Sequence, residues 1–99
     1  MRQVEIVTDN NQDVIARIAI SDNDYCEMDL SSYHALRNLG YQRLGYTESA
    51  GRKFVSFRDP VTTKHILVGR LLAGCKEGQI CRYRDNNSLN LRLSNLRVV

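Results

Sequence analysis

No apolar run in these 99 residues approaches the ~20 that a helix needs to cross a bilayer, which excludes a helical membrane protein. Met1-Arg2 passes directly into alternating sequence with no apolar h-region, so a cytoplasmic chain is expected. No repeat, low-complexity stretch or linker interrupts the sequence, and its length suits one domain with one modest core. Cysteine and histidine are scarce. Cys26, Cys75 and Cys81 are odd in number and form no C-x-x-C pair, and only His34 and His65 could join them. That is too little, too scattered, for a structural zinc site, so reduced, mostly packed thiols are expected.

What the chain does have is an uneven charge. Residues 1–50 carry four basic groups against eight acids, a balance of −4, whereas residues 51–99 carry ten against three, a balance of +7. A basic half suits a polyanion, because contact with phosphates releases counterions. A solvated face of mixed charge is the plainer alternative, and composition leaves both open.

Hydropathy patterning predicts the elements. Val4 and Ile6, then Val14, Ala16, Ile18 and Ile20, alternate with polar neighbours around an Asp9-Asn10-Asn11 turn, the pattern of a hairpin. A short extended piece at Tyr25–Met28 leads to Asp29, a helix N-cap. Leu30, Tyr33, Leu36 and Leu39 recur at helical spacing until Gly40. Strands are expected at Tyr41–Thr47 and Arg52–Arg58, joined by Glu48-Ser49-Ala50-Gly51. After Pro60, residues 62–67 read as strand or helix, and Val68–Ala73 as helix ending at Gly74. A strand at Ile80–Arg84, a turn at Asp85-Asn86-Asn87, a helix over Ser88–Ser94 and an extended Leu96–Val99 complete the chain. The fold class is α+β: one small domain of short antiparallel strands with two or three short helices.

"VGRLLAG" followed by "GQICRYRDNNSLNLRLSNLRVV" resembles the core of the HNH endonucleases of phages and mobile introns, a homing-endonuclease-like family. The upstream "MDLSSYHALRNLGYQRLGYTESAGRKFVSF" is similar to the segment such proteins place before that core, so the resemblance covers about residues 4–99. It implies that residues 1–60 are N-terminal strands and helix, and that residues 61–99 end in a ββα element. There a histidine base and a carboxylate, with a helix asparagine or histidine holding one divalent cation, would hydrolyse phosphodiesters. This sequence departs from that set at nearly every position. Cys81 stands for the acid and is a soft ligand ill suited to magnesium. Arg82 stands for the general base and cannot accept a proton. Leu91 stands for the first helix asparagine and Gly69 for the histidine of a leucine-histidine-arginine triplet, leaving only Arg70 and Asn95 in register. The expectation is therefore no catalysis, no metal and no cofactor. A displaced site built from His65, Asp85 and Asn95 is the alternative, with His65 sharing a helix face with Gly69; His34 has less claim.

The substitutions run toward arginine. Arg82 and Arg84 fall on one strand face, with Arg92 and Arg97 following and Arg70 from the preceding helix. These five are the expected contacts to double-stranded DNA, with Tyr41, Tyr46 or Tyr83 stacking or packing nearby. The plainer reading pairs the same arginines with acids of the N-terminal half. A protein-directed role is also open: an inhibitor of a host nucleic-acid enzyme or defence system, of anti-CRISPR or anti-restriction type. In that role Asp22, Asp24 and Glu27, with Asp29, would oppose a partner's basic channel.

Overall fold

The structure, a computed structural model, describes residues 4–40 and 43–99. The N-terminal alternation builds an antiparallel sheet whose order is β1 (Val4–Thr8), β2 (Val14–Ala19), β3 (Tyr25–Asp29). The Asp9 carboxylate organises the β1–β2 turn by accepting the N–H groups of Asn11 and Asp13, both at 2.9 Å. Ala16, Ile18, Cys26 and Met28 all point into the core, none more than 2 % exposed.

Helix α1 (Leu30–Asn38) lays Tyr33 and Leu36, three residues apart, onto that core. Asp29 occupies the N-cap position as expected, yet its side chain makes no cap bond. Its carboxylate instead accepts the N–H of Leu93 at 2.8 Å. The second sheet, in the order β4 (Gly45–Ser49), β5 (Arg52–Arg58), β6 (His65–Leu67), is again antiparallel. Ala50 and Gly51 join β4 to β5 with positive φ at both residues (51° and 77°), which a two-residue type I′ hairpin demands. The ambiguous segment before Val68 is thus partly strand, and α2 (Val68–Ala73) starts on the residue after it. The third sheet pairs β7 (Cys81–Tyr83) with β8 (Leu96–Val98). The expected strand start at Tyr41, and that residue's stacking role, lie outside the described residues.

The helix expected over Ser88–Ser94 does not form, so the chain does not end in a ββα element. Two forces defeat it. The Asn87 and Asn90 side chains accept the backbone N–H groups of Leu89 and Arg92, competing with the helical ladder. Meanwhile Glu27 donates its N–H to the Leu89 carbonyl (2.9 Å) and accepts from Leu91 N–H (2.7 Å). That pairing, a parallel bridge of Glu27 with Asn90, keeps the segment extended along the edge of β3. Only one 3₁₀ turn, Leu93–Asn95, remains of the helix.

One core joins the three sheets: Leu44, Val55, Phe57, Val68 and Leu91 close over β2, β3 and α1. The Cα radius of gyration, 12.9 Å, matches the about 13 Å of a single domain of this length. Among the described residues no helix is long and apolar enough to cross a membrane.

Asp9, Asp24 and Asp59, with Asp85 in the loop after β7, contribute an acid-sensitive share of stability. The N–H of Asp13, and after it Arg92, hold Asp9 below the usual carboxylate range; Lys53 and Ser21 do so for Asp24. The N–H groups of Val61 and Thr62 do so for Asp59. Each pKa is lower folded than unfolded, so this stabilisation is complete above the unfolded value of ~3.9. It is lost as pH falls through the lower folded values. Thermal melts followed by circular dichroism should show the midpoint dropping below about pH 4. The drop should be smaller in Asp9→Asn, which forfeits its share at every pH.

Candidate nucleic-acid interface

The β7–β8 ladder sorts its side chains by alternation. Cys81, Tyr83, Leu96 and Val98 share one face, with Leu96 buried. Arg82 and Arg97 stand directly opposite each other on the other face, both exposed. Paired backbone bonds at Ile80–Val99 and a bond from Arg84 N–H to the Asn95 carbonyl flank them. The alternation of an antiparallel ladder therefore makes Arg82–Arg97 a hydrogen-bonded pair, with Cα atoms about 5.5 Å apart. Arg84, two residues beyond Arg82, is exposed as well. Among the described residues no carboxylate forms an ion pair with Arg82, Arg84 or Arg97.

The other two expected arginines are occupied inside the fold. Arg70 donates to the backbone carbonyls of Gln79 and, at 3.3 Å, Lys76, clamping the loop that leads into β7. Arg92 pairs with Asp9 at 2.6 Å and Asp13 at 3.3 Å, tying the last turn to the β1–β2 hairpin. For Arg92 the plainer reading, pairing with N-terminal acids, describes the geometry.

Asn95, 7 % exposed, locks the loop between the two strands. Its amide oxygen accepts Asp85 N–H at 3.0 Å and its nitrogen donates to the Asn90 carbonyl at 2.8 Å. The Asp85 carboxylate accepts from the Asn90 side chain and from Asn87 N–H. Burial raises its pKa, but these bonds outweigh burial and hold it low. Asp85 and Asn95 are thus both engaged by their own loop. His65 lies on β6 rather than α2, so it does not share a helix face with Gly69. Among the described residues no three His, Cys, Asp or Glu side chains gather as a metal site would require.

Positions 69 and 81, which the resemblance assigns to catalytic groups, do come together. A Cβ on Gly69 would stand 3.4 Å from Cys81 Sγ and only 2.5 Å from Tyr83 Oη. The Tyr83 hydroxyl fills the space a side chain at 69 would need. Burial first, then the neighbouring Cys75, pushes the Cys81 thiol up against the opposing bond to Tyr83; burial and Cys81 push Tyr83 up to about 12. Both groups are neutral at pH 7.

The aromatic and acidic candidates are dispersed. Tyr83 faces inward against Phe54, ring centroids 6.4 Å apart. Tyr46 lies on the second sheet beneath the Lys53 ammonium, 4.8 Å from its ring centre. Asp24 pairs with Lys53 and Ser21, and Glu27 pairs with Arg17 at 3.5 Å. Only Asp22 of the proposed contact acids is exposed with no recorded bond among the described residues. His34 is exposed beside Tyr33. Sequence reasoning missed Arg52, whose guanidinium lies 5.3 Å over Phe54 and 6.0 Å over Tyr83 while donating to the Asn86 carbonyl at 3.2 Å. No periodicity announces it, since Tyr83 and Asn86 lie some thirty residues further along the chain.

Comparison with family models, with curated proteins and with solved structures finds no match for this chain.

Proposed function

We propose that the arginine face of the β7–β8 ladder holds double-stranded DNA without cutting it, in the cytoplasm of the cell where the chain is made. The observation that carries this reading is the Arg82–Arg97 pair, exposed, directly opposed and without a carboxylate partner among the described residues. Like charges directly opposite destabilise a ladder. A row of phosphates laid along it removes that repulsion and releases counterions at the same time. Arg84 extends the row, while Arg70, Arg92 and Arg52 support the loops beside it. The resemblance to HNH endonucleases supports a backbone-holding role. The residues at its chemical positions support the absence of cutting: Arg82 accepts no proton, and the Cys81 thiol stays protonated.

The test is binding of a labelled duplex, followed by fluorescence anisotropy over a range of salt. Three phosphate contacts predict a slope of log K against log salt of about −2.7. A flat slope, or no binding, sinks the proposal. Nicking of supercoiled plasmid with magnesium, manganese or zinc would sink its non-cutting half. A salt-insensitive complex with one host protein would favour the inhibitor reading instead.

A further inference from the structure

A second cationic site lies on the other side of the sequence from the arginine ladder, at the open end of the β4–β5–β6 sheet. Arg58, the last residue of β5, stands directly opposite His65, the first of β6. The β4–β5 pairing begins at Gly45 with Ser56, and Arg43 lies in the segment that leads into it. Arg58 and His65 sit on strands about 4.8 Å apart, and Arg43 completes a row of three on the wall of one pocket. All three are exposed, and all three line a single surface pocket of about 240 Å³ together with Tyr46 and Ser56. The row below is open: a Cβ on Gly45 would meet nothing within 4 Å.

This row has no internal counter-charge. Among the described residues no carboxylate forms an ion pair with Arg43 or Arg58. The nearest acid in sequence, Asp59, turns its carboxylate to the N–H groups of Val61 and Thr62. Arg58 is held in place by its Nε, which donates to the Thr63 carbonyl at 3.2 Å, and among the described residues neither terminal nitrogen of its fork has a hydrogen-bond partner. Like charges adjacent across a ladder repel, and the repulsion is relieved by an anion accepting from two guanidinium forks at once.

The geometry points to the Arg43–Arg58–His65 pocket as a binding site for a phosphate group. Such a group offers several oxygens, enough to take one donor from each member of the row. It can be the terminal phosphate of a free phosphorylated compound or a phosphate of a nucleic-acid backbone. The site shares no residue with the β7–β8 face and stands whether or not that face binds DNA.

Amide chemical shifts of the ¹⁵N-labelled protein, titrated with inorganic phosphate and separately with a short duplex, test it. Phosphate should move the amides around Arg43–Gly45, Ser56–Arg58 and His65, beyond the effect of chloride at equal ionic strength. Arg58→Gln and Arg43→Gln, both exposed and so able to fold, should each weaken that response about tenfold. Arg82→Thr should leave it unchanged. Movement of the same amides by the duplex, blocked by phosphate, assigns the source to a nucleic-acid backbone. Movement by phosphate alone assigns it to a small phosphorylated compound. Equal responses to phosphate and chloride, or a phosphate response indifferent to both glutamine variants, would overturn the site.

Discussion

Replacing Arg82 and Arg97 together with threonine should lower duplex affinity about sixtyfold at 0.1 M salt and make the fold no less stable. Each phosphate contact contributes ~0.9 to the salt slope, which at 0.1 M is worth about eightfold, so two contacts multiply to about sixtyfold. The slope itself should fall by about 1.8. Stability should move the other way or not at all, because the substitution removes two like charges directly opposed on a ladder. It replaces them with a good strand former that pairs favourably with itself. Arg92→Ala should show the reverse pattern: a lower thermal midpoint, from the loss of its bonds to Asp9 and Asp13, with the slope unchanged. Anisotropy titrations and thermal melts on the same preparations separate the two. A threonine pair that binds DNA as tightly as the parent would remove the ladder from consideration.

Leu91→Asn should cost about 3–8 kcal/mol, although asparagine is the residue the resembled family carries at the aligned position. Leu91 is 0 % exposed within the main core cluster. Truncating a buried leucine costs ~2–5 kcal/mol, and an amide left there without partners adds ~1–3. Against a total of ~5–15 kcal/mol for a domain, that leaves little reserve. The thermal midpoint should fall by about 15 °C or more. Leu91→Met, which conserves volume, should cost under ~1.5 kcal/mol and serves as the control. Urea unfolding of both variants decides the matter: an asparagine protein as stable as the methionine one would mean that position 91 is not a core site.

These two residues also mark where sequence reading succeeds and fails. Alternation gave β2 because Ala16 and Ile18 face the core, and it gave β1 although Val4 and Ile6 stay exposed; the helical spacing of Tyr33 and Leu36, both buried, gave α1. The outward direction of Arg82 was legible from the period of two. Its opposition to Arg97 was not, since register depends on how the intervening loop closes, and Asn95 closes it through its own buried amide bonds. The helix expected at Ser88–Ser94 failed because the competing partner, the backbone of Glu27, lies far away in sequence. Which acids Arg92 pairs with was not legible for a similar reason, since Asp9 and Asp13 reach it through tertiary packing alone. The Arg43–Arg58–His65 row was not legible because three residues with no shared sequence pattern meet only around one pocket of the folded chain.

The bridge between Glu27 and Asn90 joins residues 63 positions apart. During synthesis β1, β2 and β3 therefore leave the ribosome long before the segment that covers the flank of β3, and until it emerges that flank offers bare peptide groups to any passing strand. So distant a closure also slows folding, because the intervening loop must be ordered first. A nascent chain stalled before Leu89 should be the form of this protein most dependent on chaperones.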